Sequence, residues 1–253
     1  MSEPDVLYEV RDRIATLTIN RPDRRNALRG ETIDQLLDGL RRAGEDREVS
    51  VVCLTGAGDK IFCAGADLAA GPGPAALKQY ADVLEAMVNA GKPLVARVAG
   101  SCLGGGLGLV LACDMAYAAD DVTFRMPELD VGLFPMMVAA LLPRGPASKK
   151  VREAIFTTAK IDAPEAERLG LITRAVPRSG LDAEVGRVLE AVSGKAPVAL
   201  SRGRKALAAT EHMDLRPALD LLCAELAGLM KTEDVAEGMT AFFQKRKPVW
   251  KGR

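Results

Sequence analysis

Four short segments hold residue types that bind a charged oxygen or carry a proton. In Phe62-Cys63-Ala64-Gly65-Ala66-Asp67-Leu68 the small residues let a ligand approach the main chain and leave N–H groups unshielded, and Asp67 can cap the turn that follows. A plain strand-to-helix connection with a capping acid fits the same residues. Gly100-Ser101-Cys102-Leu103-Gly104-Gly105-Gly106-Leu107-Gly108 follows a predicted strand and opens a predicted helix. Glycine N–H groups at a helix start are unpaired and stand at the positive end of the dipole, which suits an oxyanion or a phosphate. The spacing is neither the dinucleotide pattern GxGxxG nor a phosphate loop ending in Gly-Lys-Ser/Thr. Tight helix packing on a sheet is the other reading, against which stands the entropic cost of three successive glycines. Glu128, in Phe124-Arg125-Met126-Pro127-Glu128-Leu129, is an acid in apolar surroundings; burial there raises its pKa and suits it to proton transfer. An exposed loop acid or a helix cap is the alternative. Arg21-Pro22-Asp23-Arg24-Arg25-Asn26-Ala27-Leu28 is either a phosphate-facing or a solvated basic loop.

The elements that must position these segments are legible in outline. Val6–Val10 and Ile14–Ile19 flank the polar Arg11-Asp12-Arg13, which predicts a hairpin. Ile33, Leu36, Leu37 and Leu40 share one face of a helix over Thr32–Ala43. A strand over Val49–Leu54 leads into a Gly-rich loop, a helix over Ala75–Asn89 and a strand over Pro93–Val98. A helix opens at Gly104, and strands follow at Met115–Ala118 and Val122–Phe124. This alternation predicts right-handed crossovers in stacked or parallel sheets, hence an α/β fold. From Met136 to Lys247 the pattern reads mainly as helices, one of them starting at Asp162-Ala163-Pro164-Glu165 with Asp162 as cap.

Bulk composition narrows the function. The 253 residues suffice for one large domain, or a domain with an appendage. Lys plus Arg balances Asp plus Glu at 34 each, so no net field attracts nucleic acid or an anionic membrane. Five cysteines without a CxxC pair read as free, mostly buried thiols of a reducing compartment, so the expected location is cytoplasmic. His212 is the sole histidine, which argues against a histidine triad or a zinc site, and no metal is expected. Met1–Val10 lacks the apolar core of a secretory leader, and the longest apolar run, Leu107–Ala119, is interrupted by Asp114 and too short to span a bilayer.

Taken in order, the segments resemble the crotonase (enoyl-CoA hydratase/isomerase) superfamily. The resemblance runs from Thr18-Ile19-Asn20-Arg21-Pro22 through Val52-Cys53-Leu54-Thr55-Gly56, the Phe62–Leu68 loop, Gly104-Gly105-Gly106 with Ala112-Cys113-Asp114, and Pro127-Glu128. It continues at Ala163-Pro164-Glu165-Ala166 and closes on Glu237-Gly238-Met239 with Phe242-Phe243-Gln244-Lys245-Arg246. It implies a spiral of ββα turns over 1–195 and a helical oligomerisation region over 196–253, assembled as a homotrimer or a dimer of trimers. It implies an acyl-CoA thioester as substrate, with coenzyme A part of that substrate and no other cofactor. Ala66 and Gly105 match the two N–H donors of the oxyanion hole. Arg24, Ala27, Leu28, Ala64, Gly65 and Asp67 match residues around CoA, and Phe242 and Lys245 match C-terminal residues that cover it. Hydratases of the family carry two glutamates. Glu128 stands at the second position, whereas Gly108 stands at the first. A single acid points to enolate chemistry with Glu128 as acid and base; the alternatives are double-bond isomerisation rather than hydration, or a non-catalytic acyl-CoA-binding homologue. Gly132-Leu133-Phe134-Pro135-Met136-Met137 also departs from the family pattern, so Phe134 and Met136 either line the acyl pocket or belong to the core. Gly108 is expected to open space opposite them.

Overall fold

The computed structural model describes residues 3–71, 73–142 and 149–253. Strands β1 (Val6–Arg11) and β2 (Ile14–Ile19) form the expected antiparallel hairpin. Asp12 and Arg13 both adopt positive φ at its tip, as a tight twisted hairpin turn requires. The Arg13 guanidinium is held by two hydrogen bonds to Ser50 Oγ, at 3.0 and 2.8 Å. Helix α1 (Gly30–Glu45) buries Ile33, Leu36 and Leu40.

Thereafter the chain repeats one pattern: two strands, then a helix. β3 (Val51–Gly56) and β4 (Ile61–Cys63) precede α2 (Pro74–Val88). β5 (Leu94–Val98) and β6 (Ser101–Leu103) precede α3 (Gly105–Leu111). β7 (Met115–Ala119) and β8 (Thr123–Arg125) precede α4 (Met136–Leu141) and α5 (Lys149–Thr157). Then come β9 (Ile161–Asp162), α6 (Ala163–Arg168), β10 (Arg174–Val176) and the helices α7 (Leu181–Ser193), α8 (Pro197–Thr210), α9 (Leu215–Leu229) and α10 (Glu233–Phe243).

The first strand of each pair enters a sheet of order β1-β2-β3-β5-β7-β10, parallel from β2 onward, and the second enters a sheet of order β4-β6-β8-β9. This is the ββα spiral that the resemblance implies. β3 lies mid-sheet and is buried on both faces, so Val51-Val52-Cys53-Leu54 reads as one apolar run rather than an alternation.

Two sequence expectations need correction. β4 and β6 lie in stretches read as loops, and β9 and β10 in the half read as helical. Each is only two or three residues long, too short to show a period, and each exists because a neighbour completes its hydrogen bonds: β4 on β6, β8 on β9, β7 on β10. Asp162 caps α6 as expected, accepting from Glu165 N at 2.8 Å. All five cysteines are free. Among the described residues no helix is long and apolar enough to cross a membrane.

A buried cation ties α8 to the core. Arg204 on α8 is almost fully enclosed and pairs with Asp114 at 2.7 Å while donating to Met87 O, Val88 O and Ala90 O at the end of α2. No residue of α9 is buried, and Leu215, Leu219, Leu222 and Leu226 form an exposed apolar stripe along it. Arg204→Ala strands the carbonyls at the end of α2 and leaves Asp114 with only the Leu94 N–H among the described residues. It should lower stability by about 3 kcal/mol, read as a shift of the urea midpoint at fixed protein concentration.

Candidate active site

Strands β4, β6 and β8 lie side by side in parallel, with Cys63 opposite Cys102 and Leu103 opposite Arg125. Their carboxyl ends therefore emerge in a row. The chain leaving β4 is Ala64-Gly65-Ala66, that leaving β6 is Gly104-Gly105, and that leaving β8 is Met126-Pro127-Glu128. The three segments singled out by residue type are neighbours in space for this reason.

Their contacts are tight because two positions lack a side chain. Gly65 has φ of +83°, and a β-carbon there would stand 2.9 Å from Gly105 N. Gly104 has φ of +50°, and a β-carbon there would stand 3.0 Å from Glu128 Oε1. Gly104 N is bonded to Arg125 O at 2.8 Å, whereas the N–H groups of Ala66 and Gly105 meet no acceptor among the described residues. Gly105 is the first residue of α3, where an N–H has no intrahelical partner and the dipole favours negative charge.

Glu128 begins a short 3₁₀ turn, closed by Leu133 N donating to its carbonyl at 2.9 Å. Its Oε2 is buried with no hydrogen-bond partner among the described residues. Arg125, three residues earlier, is turned away to Asp130 and Thr158. Burial therefore pushes the Glu128 carboxyl above its ordinary range, opposed only by a hydrogen bond from its own backbone.

The basic loop is stitched to the same place. Ala64 N donates to Arg25 O, Leu28 N to Gly65 O and Asp67 N to Leu28 O, at 3.1, 2.8 and 2.8 Å. Asn26, buried and at positive φ, holds the loop by accepting from Arg21 N and donating to Ala57 O and Ile61 O. Arg24 is exposed at the rim, while the side chains of Ala27 and Leu28 are buried. Asp67 does not cap the turn that follows it. Its carboxylate instead pairs with Arg21 at 2.9 Å, and Arg21 also pairs with Asp5 at 3.3 Å.

A profile of the family described as enoyl-CoA hydratase/isomerase matches residues 9–253. The chain belongs to the enoyl-CoA hydratase/isomerase family. It is 35% identical to a probable enoyl-CoA hydratase of Rhizobium meliloti, with 100% of each chain covered. It is 31% identical to a crotonyl-CoA hydratase of Syntrophomonas wolfei, with 98% of each covered. The crystal structure of an enoyl-CoA hydratase from Bacillus anthracis superposes with a TM-score of 0.94 at 30% identity, covering 98% of this chain and 100% of that one. The protein is thus a crotonase-superfamily enzyme acting on acyl-CoA.

Within that family frame, one expectation fails. Gly108 opens no space, because the hydroxyl of Tyr80 on α2 fills it: a β-carbon on residue 108 would overlap Tyr80 Oη and lie 3.3 Å from Cζ and 3.4 Å from Val138 Cγ2. The Tyr80 hydroxyl donates to Gly105 O, and burial pushes the phenol well above its ordinary pKa. Tyr80 and Val138 were missed because an aromatic or aliphatic residue on a helix face reads as core; nothing in the sequence says which core position abuts Gly105. Met136 is 66% exposed, and Phe134 packs against Phe156 with ring centroids 6.4 Å apart. Phe242 and Lys245 lie exposed at the end of α10, and no hydrogen bond or ion pair among the described residues joins them to the site loops.

Two outcomes follow. Gly65→Ala puts a methyl group against the Gly105 N–H at a backbone angle alanine avoids, and should lower turnover of the acyl-CoA substrate about 10²-fold in steady-state assays. Glu128→Gln should stabilise the fold. The raised folded pKa means that the native state favours the neutral acid; this contribution is complete below the unfolded pKa and lost as pH rises through the folded one. The excess stability of the variant in urea titrations should therefore grow as pH rises above the ordinary carboxylate range and level off once the native-state Glu128 is ionised.

Proposed function

We propose that the enzyme relocates a proton beside the thioester carbonyl of a CoA-linked enoyl chain, with Glu128 as the only acid and base. The observation that carries this reading is the buried Oε2 of Glu128, which has no partner among the described residues and is set beside Gly104, together with the N–H groups of Ala66 and Gly105, which meet no acceptor there. Glu128 takes a proton from the α-carbon. The charge passes to the thioester oxygen, held by Ala66 and Gly105 N–H, each donor contributing about 3 kcal/mol. Glu128 then returns the proton to the γ-carbon, and the double bond moves into conjugation. A carboxyl held above its ordinary pKa suits both steps.

The remaining parts of the reading follow from position. Arg24 at the rim, with Ala27, Leu28, Ala64, Gly65 and Asp67 in the stitched loops, would hold CoA. Phe242 and Lys245 would cover the CoA of a neighbouring subunit in a homotrimer or dimer of trimers, built by residues 196–253 through the exposed stripe of α9. Five free thiols accord with a cytoplasmic location. Coenzyme A enters as part of the substrate, and the chemistry calls for no other cofactor.

Hydration is the second reading, favoured by the hydratase names of the relatives. Incubation with crotonyl-CoA and with a 3-enoyl-CoA, following the absorbance of the conjugated enoyl thioester, separates the two. Isomerisation predicts a rise with the 3-enoyl substrate and little loss with crotonyl-CoA. Glu128→Gln should lower that rise by about 10²-fold or more. The acid limb of the pH profile should lie above the ordinary carboxylate range, because the active form is the ionised one and its pKa is raised. Tight acyl-CoA binding without proton exchange at the α-carbon in deuterated water would mark a binding protein instead.

A further inference from the structure

We propose that Tyr80 and Gly108 form a specificity-determining pair that keeps a second carboxyl group, and the water it would hold, out of the site. The inference rests on the reading of Glu128 as proton carrier and names what limits that residue to moving a proton between carbons. Tyr80 reaches the site from α2, its ring and hydroxyl both 3.3 Å from where a β-carbon of Gly105 would stand. A phenol has one proton to give, and Tyr80 gives it to Gly105 O. With that proton committed and its pKa raised by burial, Tyr80 is neither a free acid nor a base at neutral pH. Its effect is positional. It braces the first turn of α3, which carries the Gly105 N–H, and its oxygen occupies the volume that any side chain at 108 must enter. Val138 Cγ2 stands 3.4 Å from the same position. Hydration forms a bond from water oxygen to the β-carbon, delivers a proton to the α-carbon and passes a water proton to a carboxylate. Two acids share that work when both are present, and here the second has no room.

Four proteins test this: the parent, Gly108→Glu, Tyr80→Ala, and the double variant, each assayed with crotonyl-CoA and a 3-enoyl-CoA. The readout is the ratio of hydration to isomerisation, which a loss of stability alone does not move. The double variant should hydrate crotonyl-CoA at least about tenfold faster than the other three. An equal gain in Gly108→Glu alone, or no gain in a double variant that still isomerises, overturns the proposal. A second arm needs only a methyl group. Gly108→Ala should lower the thermal midpoint and cut isomerisation at least about tenfold, and Tyr80→Phe in the same chain should recover part of both, since only the hydroxyl overlaps while its loss frees Gly105 O. A harmless Gly108→Ala overturns the proposal even if the glutamate variants fail to fold or the parent turns over neither thioester. A parent that hydrates crotonyl-CoA rapidly through Glu128 overturns the isomerase reading and the pair together; a parent that isomerises beside variants that miss these outcomes overturns the pair alone.

Discussion

The parallel pairing of β4, β6 and β8 is the constraint on which the site depends. Each strand is three residues long, and their register sets Cys63 beside Cys102 and Leu103 beside Arg125. Parallel neighbours release their chains at the same sheet end, so three segments far apart in sequence emerge together. Nothing local to any one of them would do this. The six-stranded sheet and the helices of the spiral keep the three short strands in register, since strands this brief gain too little from their own hydrogen bonds to stand alone.

Close approach then makes small residues obligatory. At Gly65 and Gly104 a β-carbon would press on Gly105 N and on the Glu128 carboxylate, and both backbones take positive φ. The glycines are therefore a consequence of packing the Ala64–Ala66 turn, the start of α3 and the Glu128 carboxylate against one another. Gly108 is small for a different reason. It faces the Tyr80 hydroxyl, and the volume a larger side chain would fill is already taken.

Electrostatics divides the molecule in the same way. Away from the site, buried charge is compensated: Arg204 by Asp114 and three carbonyls, Asp5 by Arg21 and Arg29. The latter cluster holds the Asp5 carboxyl below its ordinary pKa despite burial. Among the described residues Glu128 is the exception, with one oxygen buried and unpartnered, and its pKa moves the opposite way. An uncompensated buried acid costs stability, and groups perturbed in this way cluster at functional sites.

Much of this was legible in one dimension. The hairpin, the alternation of strands and helices, the cap at Asp162 and the three chemical segments follow from residue type and period, because turn chemistry and amphipathic spacing are local. The ordered resemblance carried the family. The strands β4, β6, β9 and β10 were not legible, since two or three residues hold no period and become strands only when a neighbour supplies hydrogen bonds. Asp67 looked like a cap but is paired with Arg21, a partner 46 positions away. By itself the sequence determined that an acid and two glycine-bearing turns exist, and that Gly108 stands where family hydratases carry a glutamate. Only the tertiary structure decided what fills that place. The Tyr80 hydroxyl lies against residue 108 because α2 packs against α3, and packing between distant segments leaves no trace in the local pattern of either.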